Sequence, residues 1–195
     1  MINTIKAELR SVMNGVASRA IRESGLGYKL SYGVELPRLR EIAARFAPDR
    51  RLALELWQEN VRECKMLAVM LYPLEDFDAD MADLWVGSLQ PEQADLAGLL
   101  CMDLLARASY AAELAFRWMA DEREMYQLCG FQIVTRLLMQ GAQLSPAAEA
   151  EFLDQAAATF PTSYLPLRKA VQNALLRYGD SSEEARRQCD TILTA

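Results

Sequence analysis

Histidine occurs nowhere in the 195 residues. Its absence excludes Ser-His-Asp triads, imidazole general bases and the common zinc-ligand sets. The four cysteines, Cys64, Cys101, Cys129 and Cys189, form no C-x-x-C pair and stand far apart in helical patterns. They read as reduced, buried thiols rather than a disulfide framework. Clustered Asp/Glu ligands are missing too, and neither a phosphate-cradling glycine loop nor a nucleophile elbow occurs. No metal and no cofactor is expected. No window reaches the roughly 18 uninterrupted apolar residues of a membrane span. The opening "MINTIKAELRSVMNG" is an amphipathic helix without the apolar centre of a secretory signal. The expectation is a cytoplasmic protein with no membrane partner.

Apolar residues make up 52% of the chain and charged residues 25%, enough for one ample core and against disorder. A single domain over residues 1–195 is expected. The net charge of −6 conceals an asymmetry. Residues 1–65 carry 12 Lys/Arg against 8 Asp/Glu, residues 66–160 carry 4 against 15, and residues 161–195 carry 5 against 4. Only the two ends can offer phosphate a basic face, and the middle repels it.

The periodicity is helical throughout, and no segment alternates as a strand does. "LPRLREIAARFA" sets Leu36, Leu39, Ile42, Ala43 and Phe46 on one stripe. "LALELWQENVRECKMLAVMLYP" repeats the pattern, with a break near Gln58–Asn60 and an end at Pro73. Pro91 takes a first-turn position, Ser145-Pro146 and Ser181 start helices, and Gly141 and Gly179 stop them. Trp57, Trp85 and Trp118 each close a short helix and precede a more apolar one bearing a cysteine. Core packing is the expected role of all three. Helix pairs recurring at about 30–45 residues mark an all-α chain, an α-solenoid. The helix over residues 92–107, apolar nearly all round, belongs inside it.

One carboxylate interrupts that inner helix: Asp103, in "LAGLLCMDLLARAS". An ionised group taken from water needs a partner or a task. Arg107 lies four residues on, the ordinary spacing for a helical ion pair. The alternative is a chemical role.

Two segments, "GYKLSYGVELPRLREIAARF" (27–46) and the Leu-Trp and Arg-Glu-x-Lys of "LALELWQENVRECKMLAVMLYP" (52–73), resemble the bacterial DNA alkylation repair enzymes of the HEAT-like-repeat type, the AlkD-like family. "LRKAVQNALLRYG" (167–179) is similar to that family's C-terminal helix. The resemblance implies a C-shaped stack of HEAT-like helix pairs, an α-α superhelix, that receives duplex DNA on its concave side. It implies a glycosylase for cationic alkylated purines that needs no metal, in which aromatic side chains face the lesion and a carboxylate stabilises the developing sugar cation. "LLCMD" matches the family's Trp-Asp-x-x-Asp run, which makes Asp103 the catalytic candidate. Three other features depart. Leu99 stands for the tryptophan one turn earlier, no arginine occurs over residues 124–134, with Arg136 falling later, and Asn173 stands for the C-terminal tryptophan. Leucine has no π face, so a cation–π contribution of about 0.5–2 kcal/mol is lost.

Arg38, Arg40 and Arg45 in the basic first third, and Arg168, Lys169 and Arg177 on the C-terminal segment, are the candidate DNA contacts. Tyr28 and Tyr32 lie between helices where a groove rim is expected, and Gly33 serves a turn. Two functions follow. One is DNA alkylation repair with Asp103 as the catalytic residue. The other is a helical-repeat scaffold for a protein partner, favoured by the acidic middle and the missing aromatics.

Overall fold

The computed structural model describes residues 1–194, and all regular structure there is helical. Twelve α-helices follow in order: α1 Ile2–Ser11, α2 Gly15–Glu23, α3 Leu36–Ala43, α4 Arg50–Gln58, α5 Arg62–Leu71, α6 Ala79–Gly87, α7 Ala94–Leu99, α8 Ala111–Met119, α9 Glu124–Met139, α10 Pro146–Thr159, α11 Leu165–Gly179 and α12 Glu183–Thr194. Local chemistry fixes many of the boundaries. The side chains of Asn14, Asp49 and Ser145 accept from backbone N–H groups in the first turns of α2, α4 and α10. Gln90 and Gln93 cap each other's ends reciprocally. Gly141 follows α9 at φ +87°, which ends the helix where a side chain is strained. The break at Gln58–Asn60 is present: Glu59 and Val61 are extended between α4 and α5.

The chain falls into two compact units, Met1–Ala82 with Leu89–Leu104, and Asp83–Ser88 with Leu105 onward. In the first, α4 pairs with α5, α3 and α7 lie against α5, and α1 rests on α4. Leu39, Ile42, Leu56, Leu67, Leu71, Leu96 and Leu100 are buried in it, each contributing roughly 1.5–3 kcal/mol. In the second, α9 packs between α8 and α11, and α12 covers α11. Gly130 on α9 is the point of closest approach. A Cβ there would stand 2.7 Å from the Ala115 carbonyl oxygen and 2.8 Å from Met119. Phe131, Phe152 and Tyr178 meet edge to face through this core.

All three tryptophans are buried, as packing residues should be. Trp118 donates its indole N–H to Asp83 Oδ1 at 2.7 Å. All four cysteines are free and buried, and burial pushes Cys64 up to about 12.

Gly179 does end α11, though not through a left-handed turn. A Cβ there would meet Arg186 Cα of α12 at 3.4 Å, so its smallness serves the packing of α12. One local expectation needs correction: the inner helix over 92–107 is not one α-helix. It opens with a 3₁₀ turn at Pro91–Gln93, runs as α7, loosens into a π-turn at Leu100–Leu104 and closes in 3₁₀ form at Leu105–Arg107. The apolar periodicity could not show this, because Leu100, Cys101 and Leu104 stay buried through the change of winding.

Candidate functional site

Asp103 lies in the π-turn. Leu100, Cys101 and Leu104 point into the core, while Met102 and Asp103 are half-buried. The wider winding of i→i+5 bonding lets one stretch fill the core and still turn a carboxylate outward, and such turns recur at functional sites. Asp103 is 29% accessible and accepts from Arg40 Nη2 of α3 at 2.8 Å. This ion-pair partner comes from 63 residues earlier in the chain. Arg40 is itself 56% exposed, so the pair contributes little stability, about 0–1 kcal/mol. Its effect is electrostatic, because the guanidinium offsets the carboxylate's charge at close range.

Leu99 lies in the first unit, and Asn173 and residues 124–134 lie in the second. Leu99 is buried and packs the core. Asn173 is exposed on α11. Residues 124–134 form the first turns of α9, where Tyr126, Leu128, Cys129, Phe131, Ile133 and Val134 are buried and no arginine stands.

The Tyr-Gly-Val and Arg-Glu-x-Lys segments meet in the structure, and their joint work is architectural. Glu63 is completely buried. Its carboxylate accepts from Ser31 Oγ at 2.8 Å and from the backbone N–H groups of Tyr32 at 2.9 Å, Gly33 at 2.9 Å and Val34 at 3.3 Å. A carboxylate so supplied tolerates burial, and it fixes the loop that enters α3. Gly33 takes φ +70°, and a Cβ there would stand 2.3 Å from the Asn14 carbonyl oxygen, so only glycine fits. Arg62 donates to Asp95 at 2.8 Å, and Tyr28 OH donates to the other oxygen of Asp95 at 2.8 Å. Burial, and then the Asp95 charge, hold the Tyr28 hydroxyl well above the usual phenol range. Lys65 lies 4.7 Å from the Trp57 ring centre and donates to the Trp57 carbonyl oxygen at 2.7 Å. Burial lowers its pKa from the ordinary lysine value. Tyr32 is buried and Tyr28 half-buried, so neither is an open rim aromatic. The roles of Glu63, Arg62 and Asp95 were not foreseen. The available signal was a charged pair set among the apolar residues of "VRECKMLAVML".

Most of the candidate DNA contacts already have partners within the chain. Arg38 pairs with Glu41, Arg40 with Asp103 and Arg45 with Glu8 at 3.1 Å, all in the first unit. In the second, Arg177 pairs with Asp180 at 3.2 Å, and Arg168 donates to the Thr162 carbonyl oxygen at 2.5 Å. Lys169 is exposed. Among the described residues no group of three or more His, Cys, Asp or Glu could hold a metal ion. No helix there is long and apolar enough to cross a membrane.

Comparisons agree with this architecture. No curated protein matches the chain. A solved structure from a family of proteins related to the HEAT-like repeat DNA glycosylases, with affinity for branched DNA structures, superposes with a TM-score of 0.82. It is 18% identical, and the match covers 98% of this chain and 81% of that one. At that identity the likeness establishes the fold, an all-helical HEAT-like repeat. The family model for the DNA alkylation repair enzymes matches residues 5–188. Through that match, nearly end to end, the chain belongs to the DNA alkylation repair enzyme family.

Proposed function

We propose that the protein is a DNA-binding member of this family in which base excision has been lost. The observation that carries the reading is the Arg40–Asp103 pair. A carboxylate stabilises a cationic sugar through its unopposed negative charge, and here a guanidinium opposes it. Within the first unit, Leu99, one turn before Asp103, offers no π face to compensate. DNA remains the favoured partner. The family membership supports it, and the structural neighbour has affinity for branched DNA structures.

Release of 7-methylguanine from alkylated duplex tests the excision half. The expected result is no release above background from the native chain, from Asp103→Asn or from Arg40→Gln. Release by the native chain that Asp103→Asn abolishes would restore Asp103 as a catalytic residue. Binding to plain duplex, alkylated duplex and a four-way junction, over a series of salt concentrations, tests the DNA half. Affinity that falls as salt rises supports it. No binding to any of the three leaves the second reading, a scaffold for a protein partner, which the 4-to-15 charge balance of residues 66–160 favours.

A further inference from the structure

Most cations of the first unit hold a carboxylate. Lys6 takes Glu59 at 2.6 Å, Arg19 takes Glu23 at 2.9 Å and Arg51 takes Glu55 at 3.1 Å, while Arg38, Arg40, Arg45 and Arg62 are paired as described above. Arg22 and Lys29 differ. Both are exposed, and neither has a carboxylate partner among the described residues. Both line one open cleft of about 70 Å³, between α2 and the loop that follows it. Ile21, Leu26 and Leu30 form its apolar wall. The loop is pinned in place: the Leu30 N–H donates to the Asn60 carbonyl oxygen at 3.3 Å, and the Leu30 carbonyl oxygen accepts from the Arg62 N–H at 3.1 Å. The hydroxyls of the cleft are committed inward. Ser18 Oγ donates to the Ser31 carbonyl oxygen at 2.6 Å, Ser31 Oγ to Glu63 and Tyr28 OH to Asp95. Arg62 opposes the charge of both those carboxylates. The side-chain donors left to the cleft are the charged heads of Arg22 and Lys29.

Size and charge decide what such a cleft takes. An enclosed space of about 150 Å³ takes a benzene ring, so this one is too small for a nucleobase. Two cations without an acid partner call for a compact anion, and the apolar wall beside them suits sugar carbons. Resting on the DNA-binding reading above, we propose that the cleft seats one backbone phosphate of bound DNA between Arg22 and Lys29. A guanidinium can take two phosphate oxygens at once, and an ammonium adds a point charge. Unlike Arg38, Arg40 and Arg45, these two side chains break no internal ion pair to do so. The contact releases counterions, so each of the two cations contributes to the salt dependence of binding.

The test compares the native chain with Arg22→Gln, Lys29→Gln and the double variant on duplex and four-way-junction DNA across a salt series, with thermal unfolding of each. Arg186→Gln is the control. It removes the same charge from an exposed position on α12, in the second unit. Each cleft variant is expected to weaken binding roughly 5- to 10-fold and the double variant more, with the log–log salt slope reduced by about 1 for each cation removed. Arg186→Gln is expected to bind within about 2-fold of the native chain with its slope unchanged. Tm is expected to stay native in all four, because none of the three side chains is buried or held by a carboxylate. If the cleft variants bind with native affinity and slope, the proposal fails while the DNA reading stands. If the native chain binds no DNA, both fail. If Arg186→Gln loses as much affinity and slope as the cleft variants, the effect is one of net charge and the cleft is no site. A cleft variant that melts several degrees lower marks a residue that holds α2 in place, and the proposal is overturned for it.

Discussion

Glu63 is the residue on which the first unit most depends. Four donors converge on one fully buried carboxylate, so removing it strands the Tyr32 and Val34 N–H groups and the Ser31 hydroxyl and leaves the Gly33 N–H only Ser31 Oγ, at 3.1 Å. Glu63→Gln keeps the shape but turns an amino group toward donors. We expect it to cost about 2–4 kcal/mol, read as a lowered urea midpoint with the slope unchanged. Cys64 makes a second residue-scale prediction. Its thiol ionises at about 12 in the folded chain against 9.0 ordinarily. The unfolded state therefore gives up that proton first, and the stability it confers is complete below pH 9 and lost as pH rises toward 12. Urea titrations at stepped alkaline pH should show that decline, and Cys64→Ala should flatten it. A thiol reagent at pH 8 should leave all four cysteines unmodified until the chain is unfolded. At this scale the sequence was half legible. Asp103 drew attention because its neighbours are apolar, but Arg40 lies 63 residues away, and periodicity carries no information about such a pairing. Glu63 was visible as part of Arg-Glu-x-Lys, yet its donors come from a loop whose path no local rule predicts.

Helix ends and helix contacts belong to the scale of the element. The positions of caps and breaks were readable because Asp49, Ser145 and Gly141 act through chemistry confined to one turn. The π-turn at Leu100–Leu104 was not, since it arises from fitting one stretch to its neighbours. Two glycines supply the test. Gly130→Ala forces a Cβ to 2.7 Å from the Ala115 carbonyl oxygen, an overpacking cost of about 1–3 kcal/mol. For a chain of this length we expect Tm to fall by about 2–10 °C. Gly33→Ala combines a steric clash with a positive φ and should be worse, leaving little folded protein on expression. If Gly130→Ala instead melts with the native chain, the close packing of α8 on α9 is wrong.

On the scale of the whole molecule, an all-helical repeat was legible from end to end because its signal is the recurrence of apolar stripes. Function was less so, because the features that depart from the family are single side chains. Five of the six candidate DNA contacts are engaged within the protein. Phosphates must compete for those cations, and a net charge of −6 opposes their approach. Binding should therefore weaken with salt along a shallow log–log slope, about −3 or flatter, where a phosphate-rich interface gives about −10. A much steeper slope would mean that the internal pairs open on binding.

The bond between Ser31–Val34 and Glu63 also sets a limit on how far the protein can be shortened. Trimming the first 35 residues would leave that negative charge in an oily interior with only the Arg62 guanidinium, 3.7 Å away, to oppose it. The leading segment is thus a counterpart that the remainder requires, and a minimal version must begin ahead of Ser31.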